Sequence, residues 1–218
     1  MDTYIFNDYS LNYSYRNNLL NYFKDKGEIL NYRERTYIIS EYEKLDYVYL
    51  VLNGRVKQSF VNYHGTEKTI LLLTKGDMFG EIAMIQEGWE LLTTETLLPT
   101  TVCKIGKNAF DRCLKNNPIL YDDILIMATT KLRMLMTQLY DLSFFDSKSR
   151  LYFLLNRIAF NHGAKCNKGI IVNPKQLTHQ DIATMIGCTR STVTRLLKEL
   201  AEENKIIRDG KYIIVPNQ

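Results

Sequence analysis

The stretch from Thr178 to Leu200, THQDIATMIGCTRSTVTRLLKEL, decides how the rest of this chain is read. Thr178 stands where a helix N-cap belongs, and Asp181, three residues on, is placed to complete a capping box. Ile182, Ala183 and Ile186 recur at helical spacing and give one apolar face. Gly187 follows at once and can take the positive φ that a tight turn between helices needs. Thr189 then caps a second helix, its hydroxyl accepting from the free N–H groups of the first turn. At about 100° per residue, Val193, Leu196, Leu197 and Leu200 collect on one side of that helix, and Arg190, Ser191, Thr194 and Arg195 on the other. The spacing predicts a helix-turn-helix whose second helix can enter a DNA major groove. An arginine fork can donate to guanine O6 and N7 together. Ser191, Thr192 and Thr194 are short enough to reach bases or phosphates without filling the groove. The plainer reading, an amphipathic surface helix with solvated arginines, accounts for the helix but not for cap, turn and sequel together.

The sequel is a hairpin signal. Ile206-Ile207-Arg208 and Tyr212 to Val215 flank Asp209-Gly210, a strong two-residue turn, so the winged form is expected. Charge agrees with this assignment. Residues 146–218 carry 12 Lys and Arg against 6 Asp and Glu, whereas residues 1–145 carry 16 against 18. The chain's net +4 is therefore concentrated where phosphates would be touched.

At 218 residues, 45% hydrophobic and 24% charged, the chain is long enough for two cores and too apolar to be disordered. No run approaches the ~18 apolar residues of a membrane span. The N-terminus, with Asp2, Asn7 and Asp8, lacks the basic region of a signal peptide, so a cytoplasmic chain is expected. Cys103, Cys113, Cys166 and Cys188 form no C-x-x-C pair, and His64, His162 and His179 are isolated. Free thiols in a reducing compartment follow, with no metal site, iron–sulfur cluster or haem. No G-x-x-x-x-G-K-[ST], H-E-x-x-H or G-x-S-x-G occurs, and the carboxylates form no evident acid/base pair, so no catalytic residue is assigned.

From Glu28 to Ile105 short apolar runs alternate with turn signals. Tyr37–Ile39, Tyr47–Leu52, Arg55–Val61 and Lys68–Leu73 read as strands, with reversals at Asn53-Gly54, His64-Gly65 and Gly76-Asp77, the pattern of a β-roll or barrel. Eleven of the fifteen tyrosines precede residue 64, which could line a pocket, although aromatic strands more often form core. A short helix is predicted over Lys107–Lys115. Asn117-Pro118 is then expected to open a long one, as cap and first-turn residue. In it Leu125, Ala128, Leu132, Leu135, Leu139 and Leu142 step by three and four. Such a helix, ~36 Å long, is longer than one small domain buries, and a two-stranded coiled coil between subunits is its natural use. Ser143-Phe144-Phe145-Asp146 breaks the pattern as a hinge, with Asp146 capping a helix over Arg150–Phe160. The expected architecture is α+β. A β-roll sensor domain with flanking helices spans 1–117, a dimerisation helix and hinge 118–145, and a winged helix-turn-helix domain 146–218.

This order of parts, with Gly76-Asp77-x-x-Gly80-Glu81 and Gly187-Cys188-Thr189-Arg190-x-Thr192-Val193-x-Arg195, resembles the CRP/FNR family of bacterial transcription regulators from about Glu28 to Val215. The resemblance implies a homodimer on palindromic double-stranded DNA, with RNA polymerase as a further partner. It implies that Arg190 and Arg195 contact guanines and that Thr178, His179, Gln180, Thr189 and Thr192 hold phosphates. Ser191 stands where many members have Glu, whose carboxylate accepts from a cytosine amino group. Half-sites other than the TGTGA consensus are therefore expected.

The resemblance also places an effector pocket in the roll, at Gly80, Glu81, Leu91, Leu92, Leu135 and Met136. Cyclic-AMP binders of the family keep the Gly-Glu pair but follow it with Arg-Ser, where this chain has Leu91-Leu92. They set Thr-Ser against the purine, where it has Leu135-Met136. Between Ile82 and Cys103 there is no Lys or Arg, while Glu87, Glu90 and Glu95 are present, so a phosphate there would meet carboxylates without a partner. Cyclic AMP is not expected as the effector. The rim suits a neutral or weakly polar organic ligand, binding of which would shift the population of hinge conformers. It equally suits no ligand, in which case the roll is purely structural and DNA binding is ligand-independent.

Overall fold

A computed structural model describes residues 13–172, 177–210 and 212–216, the side chains of Asn161 and His162 excepted; Asp2, Asn7 and Asp8 lie outside them. The described chain falls into two compact units, the first ending at Met134 and the second beginning at Leu135.

The first unit is the β-roll. One antiparallel sheet has the order β1 (Glu28–Tyr32), β8 (Thr100–Gly106), β3 (Tyr47–Asn53), β6 (Met78–Phe79). The other has the order β2 (Tyr37–Ile39), β7 (Thr93–Thr96), β4 (Arg55–Val61), β5 (Glu67–Thr74). Tyr49, Val51, Val56, Leu71, Phe79 and Val102 share one core between them. Val48, Leu50, Cys103 and Ile105 alternate with these residues and pack the opposite face of the first sheet against helices. That is why β3 reads as an unbroken apolar run: both of its faces are buried. The covering helices are α1 (Ser14–Phe23), α3 (Lys107–Asn116) and the start of α4 (Leu120–Phe144), through Phe23, Phe110, Leu120 and Met127. In the second sheet Lys57 is buried, its Nζ 2.6 Å from Glu67 and 2.9 Å from Glu95, so the charge is compensated where water is excluded.

Gly76-Asp77 is a structural joint. Asp77 is buried and receives Arg16 in two bonds of 2.8 Å, the Tyr15 hydroxyl at 2.7 Å and the Thr74 N–H at 2.9 Å. Gly76 has φ +88°, and a Cβ there would lie 2.6 Å from the Arg16 Cβ. The long helix begins at Leu120 rather than at Pro118. Asn117 to Leu120 closes as a tight turn, the Leu120 N–H donating to the Asn117 carbonyl at 3.1 Å, and Asp122 and Asp123 then supply the negative charge favoured in a first helical turn.

The second unit, after the end of α4, comprises α5 (Ser147–His162), α6 (His179–Ile186), α7 (Arg190–Glu202) and a four-stranded antiparallel sheet, β11 (Ile207–Asp209), β12 (Tyr212–Pro216), β10 (Gly169–Val172), β9 (Ala164–Cys166). Asp146 caps α5 by accepting from the Ser149 N–H at 2.8 Å. Arg150 ties α5 to the Phe145 carbonyl at 2.7 Å and the Ile186 carbonyl at 2.9 Å. The last turns of α4 are held by Asp141 on Arg157, 2.7 Å apart, and Phe145, just beyond the helix, is set edge-on to Phe153.

Candidate nucleic-acid interface and effector pocket

The helix-turn-helix is built as its residues require. Thr178 and Asp181 form a complete capping box at the start of α6, and Gly187 ends that helix at φ 68°. Thr189 caps α7, accepting from the Thr192 N–H at 3.2 Å. Val193, Leu196, Leu197 and Leu200 are buried, as are Ile182, Ala183 and Ile186 of α6, and this shared apolar layer fixes α7 on its support. The opposite face of α7 presents Arg190, Ser191, Thr194 and Arg195, all exposed, with Thr178 and Gln180 exposed at the start of α6. The hydroxyls of Ser191 and Thr192 lie 2.9 and 2.8 Å from that of Thr189. Arg195 pairs with Glu199 one turn on, so its guanidinium is held along the helix. His179 Nδ1 lies 2.9 Å from the Thr194 hydroxyl, a bond between the two helices that the sequence did not disclose.

In the roll, Gly80 and Glu81 open α2 (Glu81–Gln86). Glu81 is not a free carboxylate: Lys131 of α4 reaches it at 2.7 Å and bonds the Met78 carbonyl at 2.7 Å, itself only 6% exposed. The segment between Ile82 and Cys103 holds no cation of its own, and this one arrives from a helix fifty residues away, out of reach of local sequence patterns. Glu90 is 1% exposed and accepts from the N–H groups of Leu91 at 3.0 Å and Leu92 at 3.2 Å. Burial raises its carboxyl above the usual range, an effect the two N–H groups oppose; Glu81 adds to it and Lys131 counters it. Leu92 is buried and Leu91 exposed, while Leu135 and Met136 of α4 are 39% and 56% exposed. Trp89 stands at the surface with the Lys44 ammonium 4.7 Å from its ring.

The stripe Leu125, Leu132, Leu135, Leu139 and Leu142 is between 39% and 67% exposed, and Ala128 is exposed with it. On the other side of the same helix Met127, Thr130 and Lys131 are buried. The four cysteines are free. Among the described residues no cluster of His, Cys, Asp and Glu is placed to hold a metal, and no helix is long and apolar enough to cross a membrane.

Residues 29–117 match the cyclic nucleotide-binding domain and residues 149–218 the Crp-like helix-turn-helix domain. The cAMP-activated global transcriptional regulator CRP of Pasteurella multocida is 27% identical over 199 residues, covering 90% of this chain and 93% of that protein. The anaerobic regulatory protein of Bacillus subtilis is 28% identical over 184 residues, covering 83% and 77%. By their names the first is a transcriptional regulator and the second a regulatory protein. Among solved structures, the c-di-GMP responsive global regulator CLP of Xanthomonas campestris aligns with a TM-score of 0.80 at 17% identity, over 93% of this chain and all of that one. A mutant of CooA from Carboxydothermus hydrogenoformans aligns at 0.77 and 23% identity, over 88% and 84%. Those two likenesses fix the fold, and the two domain matches, in order along the chain, fix the lineage: the chain belongs to the CRP/FNR family of transcription regulators, with a cyclic nucleotide-binding-type roll ahead of a helix-turn-helix domain.

Proposed function

We propose that this regulator acts in the cytoplasm as a homodimer, paired through the exposed stripe of α4, and binds palindromic DNA with one α7 per half-site. The recognition helices of such a dimer are ~34 Å apart, one DNA turn. The observation that carries the reading is the exposed face of α7, where Arg190, Ser191, Thr194 and Arg195 stand clear of a helix otherwise anchored by its leucines. Arg190 and Arg195 read guanine. Thr178, His179, Gln180, Thr189 and Thr192 hold phosphates. Ser191 shifts the half-site away from TGTGA, and RNA polymerase is met at the promoter. Arg190→Ala and Arg195→Ala each weaken the specific site by about 1–3 kcal/mol and random DNA far less, in a titration of both duplexes. Arg195 shows the smaller loss, because it gives up Glu199 to reach a base. Equal losses on both duplexes would assign these residues to phosphates.

Any effector of the roll loop at Gly80, Glu81, Leu91 and Leu92 is a neutral or weakly polar molecule, not cyclic AMP. The N–H groups of Leu91 and Leu92 already serve the Glu90 carboxylate, and a phosphate would have to displace it. The same observation favours the second reading, a ligand-independent regulator, since the loop's polar groups are satisfied within the chain. Operator affinity titrated with and without saturating cyclic AMP is expected to change less than about twofold, under 0.5 kcal/mol. A tenfold gain would contradict both readings.

A further inference from the structure

The surface that the proposed function turns toward DNA carries a histidine, and its hydrogen bonding decides which form can meet a phosphate. His179 stands in the first turn of α6 with Nδ1 2.9 Å from Thr194 Oγ1 on α7. Thr194 Oγ1 also lies 3.1 Å from the Arg190 carbonyl, to which it donates, the back-bond open to a threonine inside a helix. A hydroxyl has one proton. With that proton on the Arg190 carbonyl, Thr194 accepts from His179, so Nδ1 carries the ring hydrogen and the neutral imidazole offers Nε2 as a bare lone pair. Against a phosphate oxygen that is acceptor facing acceptor. Protonation makes Nε2 a donor on a cation, which suits the same oxygen twice over.

The surroundings disfavour the ring's charged form while no DNA is bound. His179 lines a cavity of about 150 Å³ with Leu177, Ile182, Ile213, Tyr212 and Arg208. Burial comes first, then the like charges of Arg208 on β11 and Arg190 on α7, and together they hold the imidazolium below its usual range. Tyr212 is the titratable group on β12, and Asp181, on α6 itself, is buried and committed to the Thr178 cap. A backbone phosphate would bring the negative charge that these neighbours do not supply.

We propose that His179 engages the DNA backbone as its imidazolium, so that each subunit takes up a proton as it docks and operator affinity rises as the solution is acidified. This rests on the DNA-binding reading above. The complex holds more protons than the free partners, so lower pH favours it, with two protons for a dimer.

The test is the dissociation constant of the intact dimer for its selected duplex at constant ionic strength, from about pH 8 to about pH 6, where histidine titrates. Binding is expected to tighten on the order of 10- to 100-fold toward acid. His179→Arg binds tightly with no pH slope, and His179→Asn binds weakly with none. Thr194→Val flattens the slope for a different reason, since the ring is then free to place its one hydrogen on Nε2. A wild-type affinity flat across the range, or a slope that persists in His179→Asn, would overturn the proposal while leaving DNA recognition intact. Absence of specific binding at every pH, in the wild type and in His179→Arg alike, would overturn the DNA-binding reading and this proposal with it.

Discussion

Glutamate at both Leu132 and Leu139 is expected to turn the proposed dimer into a folded monomer. These side chains are 55% and 67% exposed on the chain, so their replacement empties no core. The cost falls on pairing. Each leucine buried across a coiled-coil seam contributes about 1.5–3 kcal/mol, and in a homodimer each glutamate faces a like charge or an apolar neighbour. Five exposed leucines along one face of a helix form an apolar stripe of the kind that marks an interaction site. Sedimentation should give the mass of one chain, and affinity for a palindrome should fall by roughly 10²–10⁴, the gain that two linked half-sites provide. A dimer that persists in the double variant would place the interface elsewhere.

Lys131→Met is expected to destabilise the roll by about 3–5 kcal/mol, the typical effect of removing one partner from a buried ion pair. Lys131 is 6% exposed and serves both Glu81 and the Met78 carbonyl, so its loss leaves a carboxylate and a carbonyl in a site largely closed to water. Adding Glu81→Gln should recover much of the stability, because no uncompensated charge then remains. The sign with pH is also fixed. Lys131 counters the upward shift of the Glu90 carboxyl, so without it that group is raised further. A carboxyl raised on folding stabilises more below its unfolded value, and the deficit of Lys131→Met should shrink as the pH falls into the carboxylate range. Urea unfolding of the three proteins at two pH values checks both statements. A loss below about 1 kcal/mol, the scale of an exposed ion pair, would show that Lys131 is solvated.

The DNA-facing half was legible because its signals are local. Caps, turn glycine and helical period all fall within Thr178–Leu200, and the structure has both threonine caps, the Gly187 turn and the buried apolar faces where those signals put them. Strands β9 and β10 were missed because they are three and four residues long and are stabilised by distant pairing, Ile171 lying opposite Ile214. Strand β7, Thr93 to Thr96, carries no apolar run and exists because Lys57 and Gln58 pair with it from β4. The roll loop was legible only in part. Its lack of basic residues was visible, but the cation on Glu81 comes from α4, where Lys131 reads as an ordinary polar helix position. The one available signal was its place beside Leu132, on the flank of the apolar stripe.

The most direct test of the account is selection from random duplex DNA with the purified full-length protein, without added ligand, at near-physiological salt. Enrichment of a palindrome with a guanine in each half-site is expected, with loss of the preference at that guanine in Arg190→Ala. Enrichment of a site without twofold symmetry, or a palindrome whose consensus is untouched by Arg190→Ala, would contradict a dimer that reads its half-sites through α7.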